Sequence, residues 1–242
     1  MAILETRALV KEFGGLRAVD QIDLSVQEGE ILGLIGPNGA GKTTLINCVS
    51  GRYPPTRGQV WFNDEQVTGY KASAMCRKGL ARTFQICQPF PNLTVIENVV
   101  AGATFGSSDS PAGDPINIAR QMLDFVEFTM PEQTRAEDLN APQLKRLDLA
   151  RALACQPKLL LLDELAAGLT TGELGDFMAI IRRIRDQGIT ILMVEHIMEV
   201  IMGLCDRIVV IHYGKKIAEG TPDQVANDPQ VLEAYLGVDD DL

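Results

Sequence analysis

The chain has 242 residues, of which 46% are hydrophobic and 22% are charged, as is typical of a globular protein with a substantial core. This composition excludes a disordered chain, a fibrous repeat and a small scaffold held by disulfides. The formal net charge of −10 disfavours non-specific binding to nucleic acid, because such binding needs basic surfaces that neutralise phosphates.

Cysteine usage and hydropathy favour a protein of a reducing compartment. The five cysteines are widely spaced and form no CxxC pair, so we expect neither a zinc site nor a disulfide framework. Charge occurs within residues 1–7, too early for a signal peptide. Apolar runs such as residues 159–162 are far shorter than the roughly 20 residues that span a bilayer. We therefore expect a chain that does not cross a membrane by itself.

Short apolar strands alternate with amphipathic helices along the chain, which predicts an α/β domain with a mainly parallel sheet. Residues 1–30 and 59–67 alternate apolar and polar side chains, as strands of an antiparallel sheet do. Residues 31–35 are typical of a buried strand, and a glycine-rich turn then leads to a helix from about Lys42. Residues 88–154 begin with turn formers, include a loose segment at 106–113, and continue as helix. This stretch predicts an inserted helical subdomain.

The second half of the chain returns to the α/β pattern. Residues 159–162 and 190–194 predict two buried strands, and the helix between them should end at Gly188. Residues 221–224 resemble a capping box, and a second short helix should start at residues 228–229 and end at Gly237. Residues 239–241 are acidic and predict a solvated tail. We expect one domain over 1–242, with a core and β-subdomain (1–87 and 155–212), a helical subdomain (88–154) and a C-terminal extension (213–242).

Residues 36–43 fit the pattern G-x-x-x-x-G-K-[ST] and lie between a predicted strand and a predicted helix. The glycines let backbone amides converge on phosphates, and the helix N-terminus adds a favourable dipole. Lys42 would bridge the β- and γ-phosphates of a nucleotide, and the Thr43 hydroxyl would ligate Mg²⁺. A chance match is expected in roughly 1 in 100 chains of this length, so a chance glycine-rich turn is the weaker interpretation. The predicted nucleotide-binding residues of this phosphate loop are Gly36, Pro37, Asn38, Gly39, Ala40, Gly41, Lys42, Thr43 and Thr44.

Carboxylates follow the predicted strand at residues 159–162. The buried strand would deliver Asp163 to its exposed end, where a carboxylate can hold the magnesium shell, and Glu164 would polarise an attacking water. A strand that ends in ordinary solvated acids is the commoner case in isolation, but the phosphate loop favours the functional interpretation. His196 follows the strand at 190–194 and would reach a γ-phosphate, although a lone histidine there is more often a surface or core residue. Gln85 is a still less specific candidate, because glutamines occur in any loop.

Taken in order, these elements resemble the nucleotide-binding subunit of ABC transporters over nearly the whole chain. Phe-Gly-Gly-Leu-Arg-Ala-Val (13–19), Ala-Arg-Thr-Phe-Gln (81–85), Leu-Thr-Val-Ile-Glu-Asn (93–98) and Met-Gly-Leu-Cys-Asp-Arg (202–207) look like the branched-chain amino-acid uptake ATPases. The likeness is greatest to the larger of the two ATPase subunits, and the phrases at 219–222 and 234–237 agree with it.

The resemblance implies a fold and roles for individual residues. The fold is a P-loop NTPase (RecA-like) α/β core with an N-terminal antiparallel β-subdomain and an inserted α-helical subdomain. Phe13 would stack on adenine, unless it is a core aromatic beside Leu9. Gln85 would join the Mg²⁺ shell and sense a membrane partner. Glu164 would be the catalytic carboxylate of ATP hydrolysis, and His196 would position water and the γ-phosphate. The loop at 88–91 would help to form a groove for the partner's coupling helix.

The resemblance also implies partners and a location. We expect a second ABC ATPase subunit, two transmembrane permease subunits and, indirectly, a periplasmic or extracellular substrate-binding protein. The chain would lie at the cytoplasmic face of the cell membrane and power import of hydrophobic amino acids or related carboxylates. A soluble ABC ATPase that serves as an assembly or scaffold factor is the alternative. A P-loop kinase or GTPase is weaker, because neither predicts a histidine after the third strand.

The chain departs from the family pattern where two subunits are expected to meet. The signature Leu-Ser-Gly-Gly-Gln is replaced by Leu139, Asn140, Ala141, Pro142 and Gln143. Asn140 offers a side-chain donor and a helix N-cap, but Pro142 has no N–H, and loss of such a donor costs about 3 kcal/mol of transition-state stabilisation. Alternatively, Pro142 only starts a helix over 143–154. Leu165 and residues 167–171 also differ from the family pattern. Together these differences favour an asymmetric heterodimer.

Overall fold

The computed structural model describes residues 1–106 and 113–236. Residues 107–112 of the predicted loose segment (106–113), the helix end at Gly237 and the acidic tail at 239–241 therefore lie outside the described residues. The strands are β1 (Ala2–Phe13), β2 (Leu16–Gln27), β3 (Ile31–Ile35), β4 (Arg57–Phe62), β5 (Glu65–Gln66), β6 (Leu80–Arg82), β7 (Leu159–Asp163), β8 (Thr190–Val194), β9 (Arg207–His212) and β10 (Lys215–Gly220). The helices are α1 (Lys42–Val49), α2 (Ala72–Arg77), α3 (Val95–Phe105), α4 (Pro115–Phe125), α5 (Ala141–Ala154), α6 (Thr171–Asp186), α7 (Met198–Leu204), α8 (Pro222–Ala226) and α9 (Pro229–Leu236), with a 3₁₀ turn at Ala136–Asp138.

The central sheet has the strand order β10-β9-β3-β8-β7-β6, and its strands are parallel except for β10. Every residue of β3, β7 and β8 is buried, as expected for parallel strands that are covered on both faces. Because the strands run parallel, the carboxyl ends of β3, β6, β7 and β8 lie at one edge of the sheet. This edge is where ligands bind in open α/β sheets.

Alternate residues of the central strands face two separate cores. Leu32 of β3 and Leu161 of β7 pack with α1 and the N-terminal strands, whereas Ile31 and Leu160 pack with helices α3 and α5 to α7. The strands β2-β1-β4-β5 form an antiparallel sheet over α1. Helices α3, α4 and α5 pack on one another on the opposite side. The predicted fold class is confirmed: an α/β core with an antiparallel β-subdomain and a helical insertion.

Element boundaries differ from the sequence predictions where side chains cap helices. Helix α5 begins at Ala141 rather than at residue 143, because Asn140 and Gln143 form a capping box. The capping box predicted at Thr221 is confirmed. Strand β10 pairs with β9, so the proposed boundary at residue 213 falls between two paired strands of the sheet. The division into subdomains at 87/88 and 154/155 stays a prediction.

Across residues 1–106 and 113–236, every helix is too short or too polar to serve as a membrane span.

Candidate active site

The phosphate loop connects β3 to α1 and requires glycine at two points. A Cβ atom at Gly36 (φ 152°) would lie 2.0 Å from the Ile211 carbonyl oxygen, and one at Gly41 (φ 105°) would lie 2.2 Å from that of Ala18. Any other residue would push the loop away from β9 and β2. Gly41 is also the N-cap of α1 and has no side chain to cap it, so the first amides of α1 are left for a ligand.

Lys42 is folded back into this loop. Its side chain is buried, and Nζ donates to the carbonyl oxygens of Gly36 at 2.6 Å and Pro37 at 3.0 Å. Burial lowers the pKa of Lys42, and the carboxylates of Glu164 and Asp163 oppose this shift. The ammonium is thus held at the loop by hydrogen bonds to carbonyl oxygens, which phosphate oxygens can replace. Thr43 is exposed and Thr44 is half-buried, so the Thr43 hydroxyl is accessible.

Asp163 ends β7, and its side chain is 4% exposed. Its Oδ2 atom accepts a hydrogen bond of 2.7 Å from Nη2 of Arg82. Glu164, the next residue, has a left-handed backbone (φ 52°), a conformation that costs about 1–3 kcal/mol for a residue other than glycine. Its N–H donates to the Val194 carbonyl oxygen of β8 at 2.8 Å. The chain therefore turns sharply where the two predicted carboxylates meet.

Gln85, Glu164 and His196 converge at this turn. Nε2 of Gln85 donates to Oε2 of Glu164 at 2.5 Å, and Nε2 of His196 lies 2.6 Å from Oε1 of the same carboxylate. The Glu164 side chain is 15% exposed, whereas that of His196 is 42% exposed. Both oxygens of Glu164 are therefore engaged, one by each of the other two side chains. The convergence places a carboxylate acceptor at the sheet edge that also carries the phosphate loop.

Sequence reasoning missed two buried charged residues beside these groups. Arg82 pairs with Asp163, and Glu195 accepts a hydrogen bond from the Ala166 N–H at 2.8 Å. Glu195 is 2% exposed, and burial raises its pKa to about 7. Arg82 ends β6 and Glu195 follows β8. Their position at the ends of strands is the feature of the sequence that could have identified them. Nζ of Lys145 holds the turn after Glu164 through the carbonyl oxygens of Leu165 and Ala167.

Phe13 lies outside the core. It is 44% exposed, packs edge-on against Tyr53 with ring centroids 5.6 Å apart, and has Nζ of Lys11 5.0 Å from its ring centroid. Leu9, by contrast, is fully buried. The interpretation of Phe13 as a core aromatic beside Leu9 is therefore wrong. Stacking on adenine stays a prediction, and the partial exposure of Phe13 is compatible with it.

The altered signature forms the first turn of α5. Oδ1 of Asn140 accepts from the Gln143 N–H at 3.0 Å, and Oε1 of Gln143 accepts from the Asn140 N–H at the same distance. Pro142 is the second residue of the helix, where a missing N–H breaks no helical hydrogen bond. Asn140 and Ala141 are exposed. The proline is thus compatible with the helix, and Asn140 and Ala141 form the exposed surface of this turn.

An apolar cavity of about 610 Å³ opens between α2, α3, α5 and β6. Its lining includes Gln88 and Phe90 of the predicted groove loop, together with Arg82, Phe84 and Phe105. Phe90 is 50% exposed and Phe105 is 76% exposed, so aromatic surface is available at its mouth. We refer to this cavity as the groove.

Comparisons with known proteins agree with this geometry. Residues 19–167 match a family model described as ABC transporter, and residues 215–241 match one described as branched-chain amino acid ATP-binding cassette transporter. The chain is 38% identical to the high-affinity branched-chain amino acid transport ATP-binding protein BraF of Pseudomonas aeruginosa, over 97% of this chain and 98% of that protein. It is 37% identical to LivG of Escherichia coli, which carries the same description, with the same coverage.

Solved structures show the same similarity. A nucleotide-free ATP-binding cassette from an ABC transporter superposes with a TM-score of 0.88 at 32% identity, over 97% of this chain and 99% of that one. The ADP conformation of the cassette MJ1267 gives the same TM-score and identity, over 98% of this chain and 99% of that one.

Proposed function

The chain belongs to the ABC transporter family of ATP-binding subunits and is an ATPase, and we propose that it powers import of branched-chain or other hydrophobic amino acids or related carboxylates. Convergence of Gln85 and His196 on the Glu164 carboxylate is the observation that supports hydrolysis at this site. Relatives that are 37–38% identical over nearly the whole chain carry names that specify branched-chain amino acid transport, which supports the cargo class.

The residues present fit a nucleotide with Mg²⁺. The loop leaves no room for a Cβ atom at Gly36 or Gly41, and the uncapped start of α1 supplies amide donors for phosphate. The hydroxyl of Thr43, the amide oxygen of Gln85 and the carboxylate of Asp163 form the oxygen donor set that Mg²⁺ prefers, and these residues would hold it. Bound Mg²⁺ neutralises charge on the phosphates.

The side chains of this chain then divide the work of ATP + H₂O → ADP + phosphate. The loop amides and Lys42 bind and orient the phosphates, so that catalysis depends mainly on positioning and on charge stabilisation. Glu164 orients the attacking water and accepts its proton at a carboxylate oxygen. His196 orients the same water and the γ-phosphate. Each oxygen of Glu164 contacts one of the Gln85 and His196 side chains in this structure, and a carboxylate oxygen has a second lone pair that can accept from the water.

The groove supports the proposed membrane partners. A cavity with exposed aromatic side chains suits an apolar helix, and its lining includes Gln88 and Phe90 of the loop to which the family resemblance gives this role. We propose that it receives a cytoplasmic helix of a permease subunit, which places the chain peripherally at the cytoplasmic face of the cell membrane. Two permeases and a substrate-binding protein outside the cell complete the proposed importer.

The signature region supports a heterodimer with a second ABC ATPase. In the proposed dimer, Asn140 to Gln143 face the partner's nucleotide, and Pro142 offers that nucleotide no backbone donor. The intact phosphate loop and Glu164 of this chain face the partner's signature. One site of the pair is therefore stronger than the other. An assembly or scaffold factor is not favoured, because the names of these relatives specify transport.

Uptake measurements in the source cells test this proposal. Deletion of the gene for this chain should abolish high-affinity uptake of labelled leucine or of a related hydrophobic acid. The wild-type chain should restore uptake and Glu164→Gln should not, because the variant cannot activate water. Uptake of labelled arginine is the control and should be unchanged. Normal uptake of all branched-chain amino acids and related carboxylates in the deletion strain would contradict the proposal.

A further inference from the structure

Arg82 connects two elements that carry the proposed magnesium ligands. It ends β6 at the edge of the central sheet, and its backbone pairs with Leu161 of β7. Its guanidinium donates from Nη2 to Oδ2 of Asp163 at 2.7 Å. From Nη1 it donates to Oδ1 of Asn47 at 2.6 Å and to Oγ of Ser50 at 3.3 Å. The end of α1, which starts at the phosphate loop, is thereby tied to the end of β7.

Both charged partners of this contact are nearly sealed from water. The Arg82 side chain is 9% exposed and that of Asp163 is 4% exposed. In a poorly hydrated site, a hydrogen-bonded ion pair fixes direction strongly, because neither group has water as an alternative partner. The planar guanidinium holds Asn47 and Asp163 at fixed angles, which an ammonium on a flexible stem does not reproduce.

The pair leaves one oxygen of Asp163 for other use. Oδ2 accepts from Arg82, and within residues 1–106 and 113–236 no side chain donates to Oδ1. Arg82 therefore determines which oxygen is occupied and which is presented. The buried Nε of Arg82 has no hydrogen-bond partner in the described chain. The guanidinium is therefore held by Nη1 and Nη2, and the unsatisfied Nε–H costs free energy of folding.

We propose that Arg82 is a positioning residue that orients the Asp163 carboxylate for Mg²⁺. This inference rests on the proposed function, since it concerns the metal that accompanies ATP. Partners that orient metal-binding carboxylates typically change metal affinity by about 10- to 100-fold when they are removed. Arg82 acts through Asp163 and does not itself contact the nucleotide. Its effect should therefore appear in the Mg²⁺ dependence of nucleotide binding and not in binding of metal-free ATP.

The test is calorimetric titration of the full-length protein with ATP in EDTA and over a series of Mg²⁺ concentrations. Arg82→Lys keeps the positive charge but loses the planar guanidinium that donates to Asn47 and to Asp163. Arg82→Met removes both the charge and the guanidinium. For each we expect the half-saturating Mg²⁺ concentration to rise on the order of tenfold, with the Kd for metal-free ATP unchanged within about twofold. Arg135→Lys is the matched control, because the Arg135 side chain is 60% exposed and pairs with Glu137, and it should behave as the wild type.

Two further variants separate positioning from folding. Asn47→Ala and Ser50→Ala each remove another hydrogen-bond partner of the guanidinium and leave the Arg82–Asp163 ion pair intact. Asn47→Ala should therefore raise the half-saturating Mg²⁺ concentration (the Mg²⁺ midpoint) by a smaller factor than Arg82→Lys. Thermal unfolding without ligand shows whether the Arg82 variants fold. If they do not, these two variants test whether the position of the guanidinium affects Mg²⁺ binding.

An unchanged Mg²⁺ midpoint in the folded Arg82 variants would overturn the inference, as would an unchanged midpoint in Asn47→Ala where the Arg82 variants do not fold. A lower midpoint in Arg82→Met would also overturn it, because Arg82 would then compete with the metal. Absence of Mg²⁺-dependent ATP binding by the wild type would instead contradict the proposed function.

Discussion

Glu195 is a buried carboxylate whose ionisation links pH to stability. Its Oε1 atom accepts from the Ala166 N–H, and burial raises its pKa to about 7. The folded pKa lies above the ordinary value of 4.5, so between these two pH values the folded chain binds a proton that the unfolded chain releases. The associated stability is fully present below pH 4.5 and is lost as the pH rises through about 7.

Glu195→Gln should therefore flatten the pH profile of stability. The amide oxygen still accepts from Ala166, but no charge is buried at high pH. Between pH 5 and pH 8 the free energy of unfolding of the wild type should fall relative to that of the variant, by up to about 3 kcal/mol. Urea unfolding at both pH values measures this, with Glu199→Gln on the exposed side of α7 as control. Parallel profiles for the wild type and Glu195→Gln would contradict the raised pKa of Glu195 in the folded chain.

At the residue scale, the sequence predicted the catalytic candidates but not their contacts. Glu164 and His196 follow strands that the apolar pattern made visible, and their meeting depends on the adjacent register of β7 and β8. Gln85 could not be ranked from the sequence, because a glutamine in a loop has no distinctive spacing. Arg82 was missed for a related reason. An arginine can be recognised as part of a buried ion pair only when the position of its partner is known.

The first turn of α5 is a well-capped helix terminus whose sequence departs from the signature of the family. Asn140 and Gln143 cap the helix, and Pro142 lies in the first turn, where amides make no helical hydrogen bond. The boundary was predicted two residues late because the pattern of apolar residues begins only after the cap. Pairing of β10 with β9 was not predicted either, because β10 is only partly buried and its pattern is weak.

Two substitutions in this turn should separate stability from turnover. Asn140→Ala removes the cap and should lower the free energy of unfolding by about 1 kcal/mol. Pro142→Gly supplies an N–H and should raise ATP turnover in the assembled transporter, where a preorganised donor is worth up to about 3 kcal/mol of the barrier. Urea unfolding and steady-state phosphate release measure the two effects. Turnover of Pro142→Gly equal to that of the wild type in the assembled complex would contradict the proposed role of this surface.

At the scale of the whole molecule, the site is a consequence of sheet topology. Parallel β3, β6, β7 and β8 bring the phosphate loop, Gln85, the two carboxylates and His196 to one edge, while α1 is held between the two sheets. Periodicity predicted most of these elements and their class. It could not give the strand order, because that order depends on which connections cross the sheet. The groove likewise arises from packing between α2, α3 and α5, which are distant in sequence.

We propose that the phosphate loop binds ATP and that Glu164 is required to split it. Calorimetric binding of ATP in Mg²⁺, followed by single-turnover phosphate release from the same samples, tests both halves at once. Glu164→Gln should bind ATP with a Kd within about threefold of the wild type and release phosphate at least about 100-fold more slowly, as expected when a general base is removed. Wild-type protein that binds no ATP in the presence of Mg²⁺, or a Glu164→Gln variant that releases phosphate at the wild-type rate, would contradict the claim.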